Sequence, residues 1–286
     1  MTTKTRSRLS GYLFLLPYLT LFVAFMLLPL AYGLWLSFQK YEMLSRHRPQ
    51  FIGVANYAEA LGDRYFWKAL RATCLFVVWS VPITVAAALL LALALDAVPG
   101  RRQEIYRLAI FLPTMITISV VGILWRWFYN SEFGVFNAIL HVKVPWLTQP
   151  HWAMASIVLM TLWWCAGGPM VVLLAGLRQI PQAYFEAAAL DGAVGARRFF
   201  FITLPLLKPA LLFVTVINVI ASFQIFGQTF LVTRGGPELY TRVLVQYIYE
   251  TAFNNYRLGY GAAMSWMLFL IIVTFSILQF RILREK

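Results

Sequence analysis

Acidic side chains are scarce in this chain. Its 286 residues hold 11 Asp and Glu against 24 Lys and Arg, and only 12% of all residues are charged while 61% are hydrophobic. A soluble domain of this length needs far more charge on its surface. With a mean hydropathy of +0.72, the bilayer is the natural solvent. The acids stand at 42, 59, 63, 96, 104, 132, 186, 191, 238, 250 and 285, all outside the long apolar runs. That speaks against a proton-driven carrier, which relies on an ionisable group at membrane depth. Asp96, at one end of the second run, is the nearest case and reads as interfacial. Cysteine is nearly absent: Cys74 and Cys165 both fall in apolar runs and read as packing residues, without support for a disulfide. His47, His141 and His151 lack metal-ligand spacing and read as surface histidines, so no metal site is expected. No G-x-x-x-x-G-K-[ST] phosphate loop occurs, and no Ser/His/Asp or Cys/His arrangement suggests catalysis.

What is present is a series of long apolar segments with the charges between them. A span needs about 20 mostly apolar residues, and six segments qualify, at about 11–38, 71–95, 105–128, 151–177, 206–233 and 258–280. A transmembrane barrel needs short stretches of alternating polarity. "VAAALLLALALDAV" at 85–98 and "WMLFLIIVTFSIL" at 266–278 do not alternate. The fold class is therefore all-α, a polytopic membrane protein of six transmembrane helices, with residues 1–286 forming a single transmembrane domain and no separate soluble one. The first run follows a basic start, as a signal peptide does, but it is too long and carries Pro17 and Pro29, so it reads as an uncleaved span.

The net charge of +13 fits the positive-inside rule better than nucleic-acid binding. Lys4, Arg6 and Arg8, then Arg101, Arg102 and Arg107, then Arg178, Arg197, Arg198 and Lys208, and finally Arg281, Arg284 and Lys286 fall on one side of a six-span topology. That side is the cytoplasm, with both termini there. The 39–71 connection opposite is also basic but is offset by Glu42, Glu59 and Asp63. Pro82, Pro113 and Pro169 sit inside the second, third and fourth spans, where each removes a backbone donor and can kink its helix. Residues 51–73 have helix-like spacing suited to the interface before span 2. "WRWFYN" at 125–130 and "VPWL" at 144–147 read as aromatic belts.

One segment breaks the pattern: "EAAALDGAVGARRFFFITLPLLKP", Glu186 to Pro209. It lies in a connection of about thirty residues, 178–208, where 2–8 is usual between helices. Pro181 before "QAYFEAAAL" suits a helix start, and Gly192 suits a helix end. A second helix follows through "VGARRFFFI" to a break at Leu204-Pro205. Ala187, Ala188 and Ala189 give the first helix a small-side-chain surface for a close-approaching protein, and Glu186 offers an acceptor to a basic partner residue. Phe199, Phe200, Phe201 and Ile202 give the second an apolar face toward the bundle. Spacing alone also admits an amphipathic loop that merely joins two spans.

The segment resembles the cytoplasmic signature of binding-protein-dependent ABC importer permeases, E-A-A-x-x-x-G followed by I-x-L-P, in its carbohydrate-uptake form (the maltose, glycerol-3-phosphate and multiple-sugar type). Glu186, Ala187, Ala188, Asp191, Gly192, Ala193, Phe199, Ile202, Leu204 and Pro205 match without a gap. "FLLPYLTLFVAFMLLPLAYGLWLSF", "FIGVANY" and the 221–253 stretch with Thr233 and Gly235-Gly236-Pro237 are similar to that family too. The resemblance implies the type I permease fold with a coupling helix at Glu186 to Gly192. It implies a second, non-identical permease, a pair of cytoplasmic ATPase subunits that carry the ATP and Mg, and an extracytoplasmic solute-binding protein as partners, in the inner membrane of a prokaryote. This chain itself would bind no cofactor and catalyse nothing.

A sugar pathway needs polar side chains that replace hydration, together with aromatic faces. Span 5 offers Asn218, Ser222, Gln224, Gln228 and Thr229, with Asn218/Ser222 and Gln224/Gln228 each four apart and so sharing a helix face. Hydrogen bonding between helices is the competing use. Trp163 and Trp164 in span 4 could stack on a sugar or simply pack, and Gly167 and Gly168 could let helices approach closely. Arg126 could meet an anionic substrate, or snorkel. An importer of a non-sugar solute such as a glycerol phosphate derivative or polyamine, an ion-coupled secondary carrier, and a scaffolding subunit remain as alternatives.

Overall fold

Helix is the only economical way for these apolar runs to satisfy their backbone groups in lipid, and helices dominate the computed structural model. It describes residues 14–45 and 48–284. The basic residues at 4, 6, 8, 46 and 286, together with His47 and Glu285, lie outside the described residues, as does the start of the first predicted span. By length and apolar composition, four helices can cross a membrane alone, and two bent helix pairs raise the number to six if each pair is one span. The chain divides into two compact units.

The first unit comprises residues up to Asp63 together with Ile248–Leu270. Its α1 (Phe14–Ser37) widens into a π-type turn at Val23–Leu27. Between Leu28 and Ser37, only Leu36 and Ser37 are buried. A short antiparallel ribbon follows, with Gln39 opposite Phe51 and Lys40 opposite Gln50, and then α2 (Ala55–Gly62). The buried Asn56 fastens these parts, its Nδ2 donating to the carbonyls of Ser37 at 2.8 Å and Gln39 at 2.9 Å. Arg257 reaches Glu59 at 2.8 Å, and the Tyr260 hydroxyl donates to Asp63 at 2.9 Å. Gly259 is a close approach: a Cβ there would lie 2.1 Å from the Gln39 carbonyl oxygen.

The second unit holds Arg64–Tyr247 and the residues from Ile271 onward. Its α3 (Arg64–Asp96) starts seven residues before the predicted span and runs through Pro82 without a break. Then come α4 (Arg101–Phe111), a tight turn at Leu112–Met115, and α5 (Ile118–Phe128). The predicted third span is therefore not one straight helix: its halves meet at 96°. After α6 (Val135–Leu140), α7 (Pro150–Cys165) and α8 (Gly167–Arg178) divide the predicted fourth span with a 50° bend. Pro113 and Pro169 stand beside these two bends. At the second, Gly167 admits the chain next to it, since a Cβ there would lie 2.6 Å from the Ile110 carbonyl oxygen. Gly168 has open space.

The block at 186–209 folds as α9 (Gln182–Leu190) and the start of α10 (Gly195–Phe223). The expected break at Leu204-Pro205 does not occur. The helix widens at Phe199–Thr203, where the Leu204 N–H bonds the Phe199 carbonyl five residues back, and α10 then continues through Pro205 and Pro209. It stops at Phe223 rather than at 233; Gln224 to Phe226 turn the chain, and α11 (Gly227–Val232) is a separate helix. Two elements serve both units: α12 (Leu244–Tyr249), continued by a wide turn at Glu250–Asn254, and α13 (Leu258–Arg284). A core of Ala88, Ala92, Leu95, Met170, Leu173, Leu177, Leu207 and Val214 knits α3, α8 and α10.

Two residues of the first predicted aromatic belt are core instead, and the second belt is half-buried against them. Trp125 and Tyr129 are 5% and 1% exposed, and Tyr129 packs with its ring centroid 5.5 Å from that of Trp146, the rings tilted by 37°. The Tyr129 hydroxyl donates to the Ser156 carbonyl at 2.8 Å, and burial pushes this phenol above its ordinary range, so it remains a neutral donor. Asn137 closes the intervening loop. Its Nδ2 donates to the carbonyls of Ser131 and Val144, each at 3.2 Å, and its Oδ1 accepts from Val144 N at 3.2 Å and Trp146 Nε1 at 2.8 Å. Of the belt residues, Trp127 is the indole that stays half exposed.

Candidate functional site

The α9 helix begins after Pro181, whose extended backbone serves as its N-cap, and ends in a glycine cap. Gly192 has φ of +72°, Gly192 N–H bonds the Ala189 carbonyl at 3.1 Å and Ala193 N–H bonds the Ala188 carbonyl at 2.8 Å. These are the paired bonds of a Schellman ending. Of the six residues singled out here, Ala188 is buried while Glu186, Ala187, Asp191 and Gly192 are exposed and Ala193 is half-buried. The small-side-chain surface is thus Ala187 and Ala189, because Ala188 faces the chain's own interior.

Around this cap lies an apolar surface. Leu190 is 90% exposed, Phe201 72%, Val194 66% and Phe200 61%. Phe200 and Phe201 therefore do not anchor α10 as expected; the half-buried Phe199 and Ile202 and the buried Thr203 lie on its inward side. Successive residues of this turn point in different directions, so the aromatic run is split between an exposed and an inward face. Arg198 sits over the Phe185 ring at 5.5 Å and ties the start of α10 to α9.

The pathway candidates do not form one set. Asn218 and Ser222 share α10 as expected, but Asn218 Nδ2 donates to the Val214 carbonyl at 2.9 Å, and Ser222 is buried. Gln224 and Gln228 do not share a helix face: Gln224 is the exposed C-cap of α10, and Gln228 belongs to α11. Trp164 Nε1 donates to the Ile116 carbonyl at 3.0 Å, and Trp163 packs on Trp125 with ring centroids 5.5 Å apart. Both indoles thus support the bend between α4 and α5. Arg126 is exposed in the last turn of α5. A groove of about 390 Å³ between α3 and α7, lined by Leu75, Trp79, Met154, Val158 and others with His151 and Tyr240 at its polar end, contains none of the pathway candidates. Beyond α11, Thr233 and Thr241 bond through their hydroxyls at 2.7 Å and Thr241 donates to Gly236 O at 2.6 Å, which holds the Gly235-Gly236-Pro237 loop. Among the described residues no cluster of three or more His, Cys, Asp or Glu could hold a metal.

A polar cluster four residues before α9 gave no signal in the sequence. Gln103 in α4 joins the Leu95 carbonyl and Arg178, and Arg178 also faces Asp96. Arg178 lies 75 residues from Gln103 in the chain, and none of the three residues carries a motif.

Apolar helices, two of them bent at Pro113–Thr117 and at Ala166, with the exposed, capped α9 following the second bend, define a polytopic helical membrane protein. The family model described as "binding-protein-dependent transport system inner membrane component" matches residues 66–285. The chain belongs to that family and is a permease subunit rather than an enzyme. The probable ABC transporter permease protein YesP of Bacillus subtilis is 34% identical over 285 residues, covering 96% of this chain and 91% of that protein. The lactose transport system permease protein LacF of Rhizobium radiobacter is 33% identical over 300 residues, covering all of both chains. A bacterial alginate ABC transporter, solved in complex with an alginate pentasaccharide-bound periplasmic protein, has a chain of the same fold, with a TM-score of 0.86 at 24% identity over 99% of this chain and 96% of that one.

Proposed function

We propose that this chain forms half of the translocation pathway of an ATP-driven importer for a sugar or sugar-like solute. In this reading six spans cross the inner membrane with both termini and the 178–208 loop in the cytoplasm. A second, non-identical permease completes the pathway, an extracytoplasmic binding protein delivers the solute, and a pair of ATPase subunits binds ATP and Mg. Residues Glu186 to Gly192 dock on an ATPase subunit and transmit its motion. Asn218, Ser222, Gln224, Gln228, Trp163 and Trp164 are the candidates for the pathway wall, and the exposed Gln224 is the strongest of them.

The observation that carries the reading is the exposed, glycine-capped α9 with Leu190 and Val194 beside it. In water such an apolar patch is a protein-docking feature, and in lipid the polar Glu186, Asp191 and Arg197 beside it would be costly. The sugar assignment rests on relatives such as the lactose permease named above, and on the uncharged character of the pathway candidates. A mild-detergent pull-down of tagged chain from native membranes, read by mass spectrometry, tests the assembly. An ATPase subunit and a second permease should come with it. Recovery of the chain alone, or as a homodimer, refutes the proposal. Uptake of labelled sugars, set against a glycerol phosphate diester and a polyamine, tests the solute class.

A further inference from the structure

The ends of α3, α4 and α8 meet in a cluster whose parts are unequal. Arg178, the last residue of α8, lies 3.9 Å from the Asp96 carboxylate at the end of α3, with side chains 52% and 47% exposed. A pair this open holds geometry weakly. Gln103 differs. It is 8% exposed, and its amide is used at both ends: Nε2 donates to the Leu95 carbonyl at 2.6 Å, while Oε1 accepts from Arg178 Nη2. A buried amide cannot leave such partners without stranding polar groups. Leu95 belongs to the core that joins α3, α8 and α10, and Ile180, two residues past Arg178, packs on that same core. Three helices are therefore tied at one side chain, four residues before α9 begins.

We propose that the Gln103–Arg178 contact is a positioning latch that holds the base of α9 in fixed register with α3 and α4. The inference rests on the reading of α9 as the ATPase-docking element. With the latch closed, a displacement of α9 carries α8, α3 and α4 together. With it open, Gln179 to Pro181 can flex and absorb the displacement. Gln103 touches neither solute nor ATPase and acts through Arg178; Asp96 only supplements it.

The test uses the assembled importer in nanodiscs, with Cys74 and Cys165 replaced by serine and spin labels at Gln182→Cys and Arg102→Cys, both exposed and outside the small-side-chain surface of α9. The distance between the labels is read by pulsed electron resonance, without nucleotide and with ATP and vanadate. The parent should give one narrow distance in each state. Gln103→Leu and Arg178→Lys should each broaden it, and Asp96→Asn should leave it narrow. Arg178→Lys, at a half-exposed position, serves if Gln103→Leu fails to assemble. A narrow distance in both latch variants overturns the proposal, and so does equal broadening by Asp96→Asn. ATPase subunit retained by the same preparations is measured alongside. If the parent retains none, the docking reading fails and the latch loses its role in transmission. Parent retention with a narrow distance in the latch variants removes the latch alone.

Discussion

Replacing Gly192 isolates the backbone requirement of the α9 cap from every side-chain effect. Its φ of +72° lies in the left-handed region, and a Cβ built there meets nothing within 4 Å. Alanine at this position therefore costs only the left-handed conformation, about 1–2 kcal/mol, which is a factor of roughly 5–30 in the population of the capped state. If docking selects the capped state, the affinity for the ATPase subunit falls by at most that factor, about 5–30-fold, in Gly192→Ala. Asparagine visits this region more readily, so Gly192→Asn should fall between glycine and alanine. Proline is worse on three counts. It locks φ near −65°, removes the N–H that bonds the Ala189 carbonyl at 3.1 Å, and pushes the preceding Asp191 toward extended backbone, away from the φ of −79° and ψ of 5° that it holds as the C-cap. The assay is a titration of purified ATPase subunit onto the permease pair in nanodiscs, with the amount of inserted permease measured separately. The expected order of affinity is Gly, Asn, Ala, Pro. Wild-type affinity in Gly192→Pro, or alanine binding as well as glycine, would refute the reasoning that the cap presents the docking helix.

Other positions make sharp contrasts. Gly167→Ala places a Cβ 2.6 Å from the Ile110 carbonyl oxygen whereas Gly168→Ala meets nothing within 4 Å, so the first should lower thermal stability of the detergent-purified chain by about 1–3 kcal/mol and the second should be nearly silent. Asn56→Leu strands the carbonyls of Ser37 and Gln39, at about 1–3 kcal/mol for each group left unsatisfied; a melting temperature equal to the parent's would count against the staple. Among pathway candidates, Gln224→Leu should raise KM for uptake by up to about tenfold, the worth of one hydrogen bond, with the amount of inserted protein unchanged. Asn218 already bonds within its helix, and Asn218→Leu should move KM less; the reverse order would exchange their roles.

Much of this architecture could be read from residues because its causes are local or solvent-wide. Lipid forces long apolar runs into helices, so the spans could be located to within several residues. Pro181 and Gly192 bracket α9 through their own backbone preferences. The breaks depend on partners elsewhere in the chain. The Ile116 carbonyl is satisfied by Trp164 Nε1, 48 residues away; Pro113 marks the place of this bend locally, but its size rests on that distant partner. Pro205 reads as a helix stop until the wide turn at 199–203 is seen ahead of it. Gln224 and Gln228 share a face only if the helix continues, and it stops between them. Trp125 and Tyr129 have the composition of a membrane belt, and only packing against Trp146 and Phe136 makes them core.

Asn137 brings to the 131–146 loop something the chain does not obtain from its cysteines, both of which are free. Two donors and two acceptors are all that a carboxamide has, and every one of them is in use here. The loop is in effect cyclised by one residue, and its closure entropy is charged to that single site rather than spread along the loop. Such a fastener is indifferent to redox conditions on either side of the membrane, unlike a disulfide. It also has no near substitute: aspartate has no donors for Ser131 and Val144, and glutamine carries the same groups one carbon too far. Variation in the loop should therefore be tolerated broadly at the exposed Phe133, Ile139 and Val142, and at Asn137 hardly at all.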